Sequence, residues 1–293
     1  MRPATAYRIT PLSRSSMTRI RHVLSGLALT AFTAACSPDA KTSTADSAAP
    51  GTMTPATTMD GDSTQGTAMA TDQVKVTPVE HASVVLDWAN TTIYVDPVGG
   101  AAMYAAQPKP TLILVTDIHP DHMDAPTLSA LAANGVPIIA PKAVRDSLPV
   151  ALKAQVTELA NGQSHSMNGF TIEAIAMYNT TADRLKFHSN GRGNGYVLSR
   201  DGVRVYLSGD TEDIPEMRAL RNIDMAFVVM NLPYTMTVEQ AASAVADFKP
   251  KVVYPYHYRG PDGMSDVAKF KSLVDAQAPG VRVEQLDWYP AGK

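Results

Sequence analysis

Cysteine is nearly absent. Cys36 is the single one in 293 residues, so no intrachain disulfide can form and the staple common in exported domains is excluded. Long apolar runs are missing too: the stretch from Val23 to Ala35 is too short to span a bilayer comfortably. No Walker-type loop occurs and no Gly-x-Gly-x-x-Gly follows a strand-like run, which removes the usual phosphate and dinucleotide cradles. Gly191-Arg-Gly-Asn-Gly195 precedes an apolar run and reads as a turn. No repeat at a solenoid period is evident. Basic residues are scarce where a polymer would need them. The net charge is −3, but Arg2, Arg8, Arg14, Arg19 and Arg21 all lie in the first 35 residues, which hold no acidic residue. Without them 20 Lys and Arg face 28 Asp and Glu, a net −8. Nucleic-acid binding rests on neutralising phosphates, so no nucleic-acid partner is expected, and a small polar substrate in a cleft fits better.

The basic leader and apolar stretch read as a secretory signal, with translation expected to start at Met17. The signal ends Phe-Thr-Ala-Ala-Cys36, which resembles a bacterial lipoprotein signal: residues 1–36 form the leader, cleavage falls before Cys36, and Cys36 carries the lipid. This implies an exported protein held on a periplasm-facing membrane surface by its lipid anchor. Ser37 resembles the residue that lets such lipoproteins move to an outer membrane. Residues 37–72 are Ala, Thr, Ser and Pro with few branched aliphatics, too little apolar surface to offset chain ordering, and they read as a tether. The folded domain is expected over 73–293.

Within it, Val74–Val79, Ser83–Trp88, Thr92–Val95, Thr111–Val115, Val136–Ala140, Phe170–Met177, Gly195–Ser199, Val203–Leu207, Met225–Met230, Lys251–Pro255 and Val281–Leu286 read as strands. Ala125–Asn134, Asp213–Arg221, Thr237–Phe248 and Asp266–Ala276 read as helices. Strand-rich blocks interrupted by helices predict an α/β layered sandwich, two sheets face to face with helices outside.

Residues 116–124, Thr-Asp-Ile-His-Pro-Asp-His-Met-Asp, place Asp117, His119, Asp121 and His122 directly after a strand. A loop leaving a strand end can turn such side chains toward one or two cations. Ser208-Gly-Asp-Thr211 follows another strand and puts Asp210 at its end, where it can bridge two metals. His257, in Tyr254-Pro-Tyr-His257, is the natural distal imidazole. His188 lies in a loop before a strand, and His165 has only turn neighbours and is expected to face solvent.

Glu80-His-Ala-Ser83, Tyr94-Val-Asp-Pro97, Thr116–Asp124, Gly195-Tyr-Val197, Ser208–Thr211, Tyr234-Thr-Met236 and Pro255-Tyr-His257, in this order, resemble the metallo-β-lactamase superfamily, in its branch of small metal-dependent hydrolases. The resemblance implies a four-layer αββα sandwich with one or two divalent metal ions, usually zinc, at one edge of the sheets. By it, His119 is a ligand of the first metal, Asp121 and His122 of the second, Asp210 the bridge and His257 a second-metal ligand. Asp117 stands where the family usually has the loop's first histidine, and Tyr178-Asn179 sits near the expected place of its mid-chain histidine. Either His188 completes the first position, or the protein works with one metal, or it prefers manganese or iron. His81 is expected to contact the substrate, and Tyr234, Tyr258 and Arg259 are candidate pocket residues. The implied activity is attack by a metal-bound hydroxide on a small ester, lactone, amide or phosphodiester, with Asp121 orienting the water and passing a proton. The alternative is a non-catalytic lipoprotein that keeps the fold and binds metal or ligand. With no cysteine near the cluster and no flavin domain following it, redox or sulfur chemistry at an iron site on the same fold is disfavoured.

Overall fold

The structure is a computed structural model that describes residues 71–290. The leader 1–36 with Cys36, the tether through residue 70 and residues 291–293 lie outside the described residues. The first sheet runs in chain order: β1 (Val74–Glu80), β2 (Ser83–Trp88), β3 (Thr91–Val95), β4 (Leu112–Leu114), β5 (Ile138–Ala140) and β6 (Val156–Glu158). The first three pair antiparallel, and from β3 onward the pairing is parallel. Parallel neighbours need crossovers, supplied by a 3-10 turn at Ala101–Tyr104 and by α1 (Ala125–Leu131), α2 (Lys142–Ser147) and α3 (Val150–Lys153).

The second sheet contains β7 (Ser164–Met167), β8 (Phe170–Met177), β9 (Gly193–Arg200), β10 (Val203–Leu207), β11 (Met225–Val229) and β12 (Val252–Tyr256). After a short hairpin of β13 (Arg259–Gly260) and β14 (Gly263–Met264), β15 (Arg282–Val283) closes it on β12. Strands β7 to β10 are antiparallel, whereas β10, β11, β12 and β15 are parallel. Helices α4 (Pro215–Arg218), α5 (Val238–Phe248) and α6 (Val267–Gln277) supply the crossovers.

The two-residue period of a strand sorts its side chains between two cores. Val84, Leu86, Trp88, Leu112 and Leu114 point into the seam between the sheets, joining Phe170, Leu198 and Phe227. Their neighbours Val85, Ile113 and Val115 face the other way, onto Leu128, Val144 and Leu152 of α1 to α3. The Trp88 and Phe170 rings meet edge to face at 4.8 Å across the seam. On the far side α5 lays Ala241, Ala242, Ala244, Val245 and Phe248 into the core. Thr237 starts this helix with a reciprocal cap, accepting from Gln240 N at 3.2 Å while Thr237 N donates to Gln240 Oε1 at 2.9 Å. The arrangement is the predicted αββα sandwich.

Five expectations need correction. The helix read over 125–134 stops at Leu131, since Asn134 and Gly135 both take positive φ and turn the chain into β5. The helix read over 213–221 is a single turn, and the closing strand is two residues, one edge pairing with β12. Gly193 lies inside β9, which starts two residues before the strand read from Gly195, rather than in a turn; a Cβ on Gly195 would stand 2.8 and 2.9 Å from the carbonyl oxygens of Ser208 and Leu207, so this glycine lets two backbones close. His165 sits in β7, half-buried, not in a solvent-facing turn.

One edge of the sandwich collects the chemistry. Asp96 follows β3, Thr116 to His122 follow β4, Asp210 follows β10, Asn231 follows β11 and His257 follows β12. These are the carboxyl ends of parallel strands, where open α/β sheets leave a crevice.

Candidate metal centre

The site is built up from Asp96. Fully buried, with φ 45°, it accepts hydrogen bonds from Thr116 N at 2.7 Å and Thr116 Oγ1 at 2.6 Å, and its Oδ2 lies 2.8 Å from His122 Nδ1. A proton on Nδ1 shared with this carboxylate fixes the ring and leaves the Nε2 lone pair pointing away. His122 Nε2 lies 3.3 Å from Asp210 Oδ2 and 3.3 Å from His257 Nε2. His257, also at positive φ (47°), places Nε2 3.4 Å from Asp210 Oδ1 and 3.4 Å from Asp121 Oδ2. Left-handed backbone at non-glycine residues is costly, and here it accompanies two residues of the cluster. Gly209 gives Asp210 its place, with φ 60° and an Asn194 carbonyl oxygen 3.1 Å from where a Cβ would be.

A second group adjoins the first. His119 Nδ1 is 2.9 Å from Asp117 Oδ2, and His188 Nε2 is 3.3 Å from Asp210 Oδ2 and 3.9 Å from Asp117 Oδ2. Asp117, His119 and His188 have donor atoms close enough to hold an ion, as do Asp121, His122 and His257. Asp210 touches both groups. His188, placed by sequence in an uncommitted loop, is therefore gathered into the site.

The donor chemistry fits a divalent cation best around His122. Two imidazole Nε2 atoms face each other at 3.3 Å beside two carboxylates, an arrangement that a shared cation would suit. Asp210 Oδ1 is buried without a hydrogen-bond partner, and two nitrogens with two carboxylates make a set that suits a divalent cation. The electrostatics agree in sign. Burial opposes ionisation of Asp210, yet His257 and His122 hold its carboxyl well below the usual range. Burial likewise opposes a charge on His122, yet Asp210 and Asp96 push its pKa well above the ordinary value. The pocket demands positive charge.

A cavity of about 290 Å³ opens beside this centre, lined by His119, Asp121, His188 and Asp210 together with Phe187, Asn231 and Tyr234. Phe187 and Tyr234 stand edge to face at 5.0 Å. Of the expected substrate contacts, Tyr234 lines this cavity. His81, Tyr258 and Arg259 instead pack together around Tyr289: the Arg259 guanidinium sits 4.3 Å over its ring, Tyr258 meets it at 5.0 Å, and its hydroxyl lies 3.3 Å from His81 Nδ1. His81 then meets His257 edge-on at 5.3 Å. Burial, with His257 and Arg259 nearby, lowers the His81 pKa to about 4, so this ring is neutral at physiological pH.

Sequence reasoning passed over Asp96, Thr116, Arg192, Asn231 and Phe187 as site residues. Asp96 had a signal, a carboxylate in the strand-ending Tyr94-Val-Asp-Pro97. Arg192 had none, since its partner Asp117 is 75 positions away.

Comparison with known proteins agrees with this geometry. Residues 75–257 match the model of the beta-lactamase superfamily domain. A UPF0173 metal-dependent hydrolase of Pyrococcus furiosus is 30% identical over 216 residues, 70% of this chain and 94% of the relative. A candidate metal-dependent hydrolase from Parabacteroides distasonis superposes with TM-score 0.66 at 39% identity, covering 74% of this chain and 94% of that one. The metallo-beta-lactamase fold protein YhfI from Bacillus subtilis, 12% identical, shares the fold at TM-score 0.57 over 73% of this chain and 95% of its own. The strand-end cluster of histidines and aspartates and these relatives lead to one conclusion: the chain belongs to the beta-lactamase superfamily and is a metal-dependent hydrolase.

Proposed function

We propose that Asp121, His122, Asp210 and His257 hold one divalent cation, zinc by the character of the donors, and that the protein hydrolyses a small ester, lactone, amide or phosphodiester in the adjoining cavity. The observation that carries this reading is the convergence of His122 Nε2, His257 Nε2 and both Asp210 oxygens within 3.4 Å of one another's partners. When bound, the cation supplies an acidified water and a Lewis acid for the scissile oxygen. Asp121, its side chain 42% exposed on the cavity wall, is the carboxylate placed to orient the attacking water and carry its proton to the leaving group. The small volume and the Phe187 and Tyr234 wall favour a compact substrate with an apolar portion.

Asp121→Asn keeps the shape and removes the base. At zinc concentrations that restore the metal, kcat is expected to fall by about 10²-fold or more, measured on a panel of chromogenic esters, lactones and phosphodiesters; an unchanged kcat would remove Asp121 from the chemistry. A lipoprotein that only binds predicts metal without turnover anywhere on that panel, and the kinship with metal-dependent hydrolases favours turnover.

We further propose that the protein is exported and anchored through a lipid on Cys36, on the strength of the small residues before that cysteine and the basic, apolar leader. Mass spectrometry of the mature N-terminal peptide is expected to show a lipidated Cys36. A peptide that continues unmodified upstream of it would end the proposal.

A further inference from the structure

We propose that the resident cation is single because the guanidinium of Arg192 stands in place of the other; this rests on the hydrolase reading above and specifies its metal count. Arg192 closes the group formed by Asp117, His119 and His188. Its Nε donates to Asp117 Oδ1 at 3.0 Å and its Nη2 to Asp117 Oδ2 at 2.7 Å, the two-pronged pairing that suits a guanidinium and a carboxylate. Nη2 also lies 3.3 Å from His119 Nε2, and His119 Nδ1 approaches Asp117 Oδ2 from its own side at 2.9 Å.

A guanidinium stays charged throughout the pH range of folded proteins and carries donors only. Asp117, with its side chain fully buried, thus commits both oxygens to a permanent positive charge. A dication entering beside it would have to break that fork on a fully buried carboxylate and then lie against the charge it displaced.

Charge divides the two groups. Asp117 and Arg192 cancel, so the only further carboxylate through which the first group attracts a dication is the shared Asp210. Around His122, Asp121 and Asp210 have only histidines as ion-pair partners among the described residues, and Asp96 adds a third carboxylate behind the ring. The cation belongs there.

His188 then has a different use. Its ring is buried, both nitrogens lack a hydrogen-bond partner, and it lines the cavity. Buried polar atoms are rarely left alone, and the partner this ring awaits is a polar group of the substrate rather than a resident ion.

The test is zinc counting on the full-length chain, by titration against a chromophoric chelator and elemental analysis after dialysis. One equivalent is expected in the wild type, one in His188→Ala, and none in His257→Ala. The double variant Arg192→Ala, Asp117→His removes the guanidinium and supplies an imidazole, and is expected to gain a second equivalent. Two tight equivalents in the wild type would overturn the single-cation inference while leaving the hydrolase reading intact; none would overturn both. Loss of the wild-type equivalent in His188→Ala would show that this ring is a ligand and overturn the division between the groups. If the double variant does not fold, the wild-type and His188→Ala counts decide alone.

Discussion

Asp210→Ala is expected to abolish metal binding and to lower kcat/KM by on the order of 10³-fold or more, because losing the cation removes both the acidified water and the charge stabilisation, each worth several kcal/mol. The reason lies in where this carboxylate sits. It is buried and lies within 3.4 Å of nitrogens on His122, His188 and His257, so its removal leaves three imidazoles around a hole, with the half-exposed Asp121 as the one carboxylate left to meet a cation directly. Asp210→Asn preserves the volume and the strand end, and is expected to behave almost as badly, since an amide offers one neutral acceptor in place of a charge shared by three rings. Metal analysis, kcat/KM and near-ultraviolet circular dichroism on both variants separate loss of the ion from loss of the fold. A wild-type rate in either one would refute the assignment.

Asp96→Ala is expected to weaken zinc affinity by roughly 10- to 100-fold without touching the ion, the range found when the partner behind a metal-binding histidine is removed. It is also expected to lower stability by about 1–3 kcal/mol for each buried group it strands. The group stranded outright is Thr116 N, since His122 Nδ1 keeps Thr116 Oγ1 at 3.0 Å. Asp96→Asn makes the sharper comparison. Its amide oxygen can still accept from Thr116, but its NH₂ would face His122 Nδ1 and favour the tautomer with the proton on Nε2, where the ion needs a lone pair. The asparagine variant should therefore recover stability yet bind zinc as poorly as the alanine variant, as competition with a chelator and chemical denaturation would report. Equal zinc affinity in Asp96→Asn and wild type would mean that Asp96 does not set the tautomer.

How much of this was legible beforehand varied with the length of the element. Strands such as Phe170–Met177 and Val203–Leu207 are legible at their true limits, because buried apolar residues recur at every second position, Phe170, Ile172 and Ala174 in one and Val203, Val205 and Leu207 in the other, which is the strand period. Residues 141–167 carry no legible element in the sequence, and they hold α2, α3, β6 and β7, pieces of three to six residues. A single helical turn or a three-residue edge shows no period to read. The site followed the same rule. Residues close in sequence and of ligand type, from Asp117 to His122, stood out at once, and Asp210 and His257 were recognisable as strand-end residues. The Arg192 fork was invisible, since an arginine in a glycine-rich segment has no signature and its meaning comes entirely from a carboxylate far away in the chain.

The centre draws Asp121 and His122 from the end of β4 in one sheet, and Asp210 and His257 from the ends of β10 and β12 in the other. Neither half of the molecule owns a complete coordination set. Altering the rim loop of one half therefore changes the binding partner that the opposite half meets, and the inheritance of the two halves is tied together at a single point.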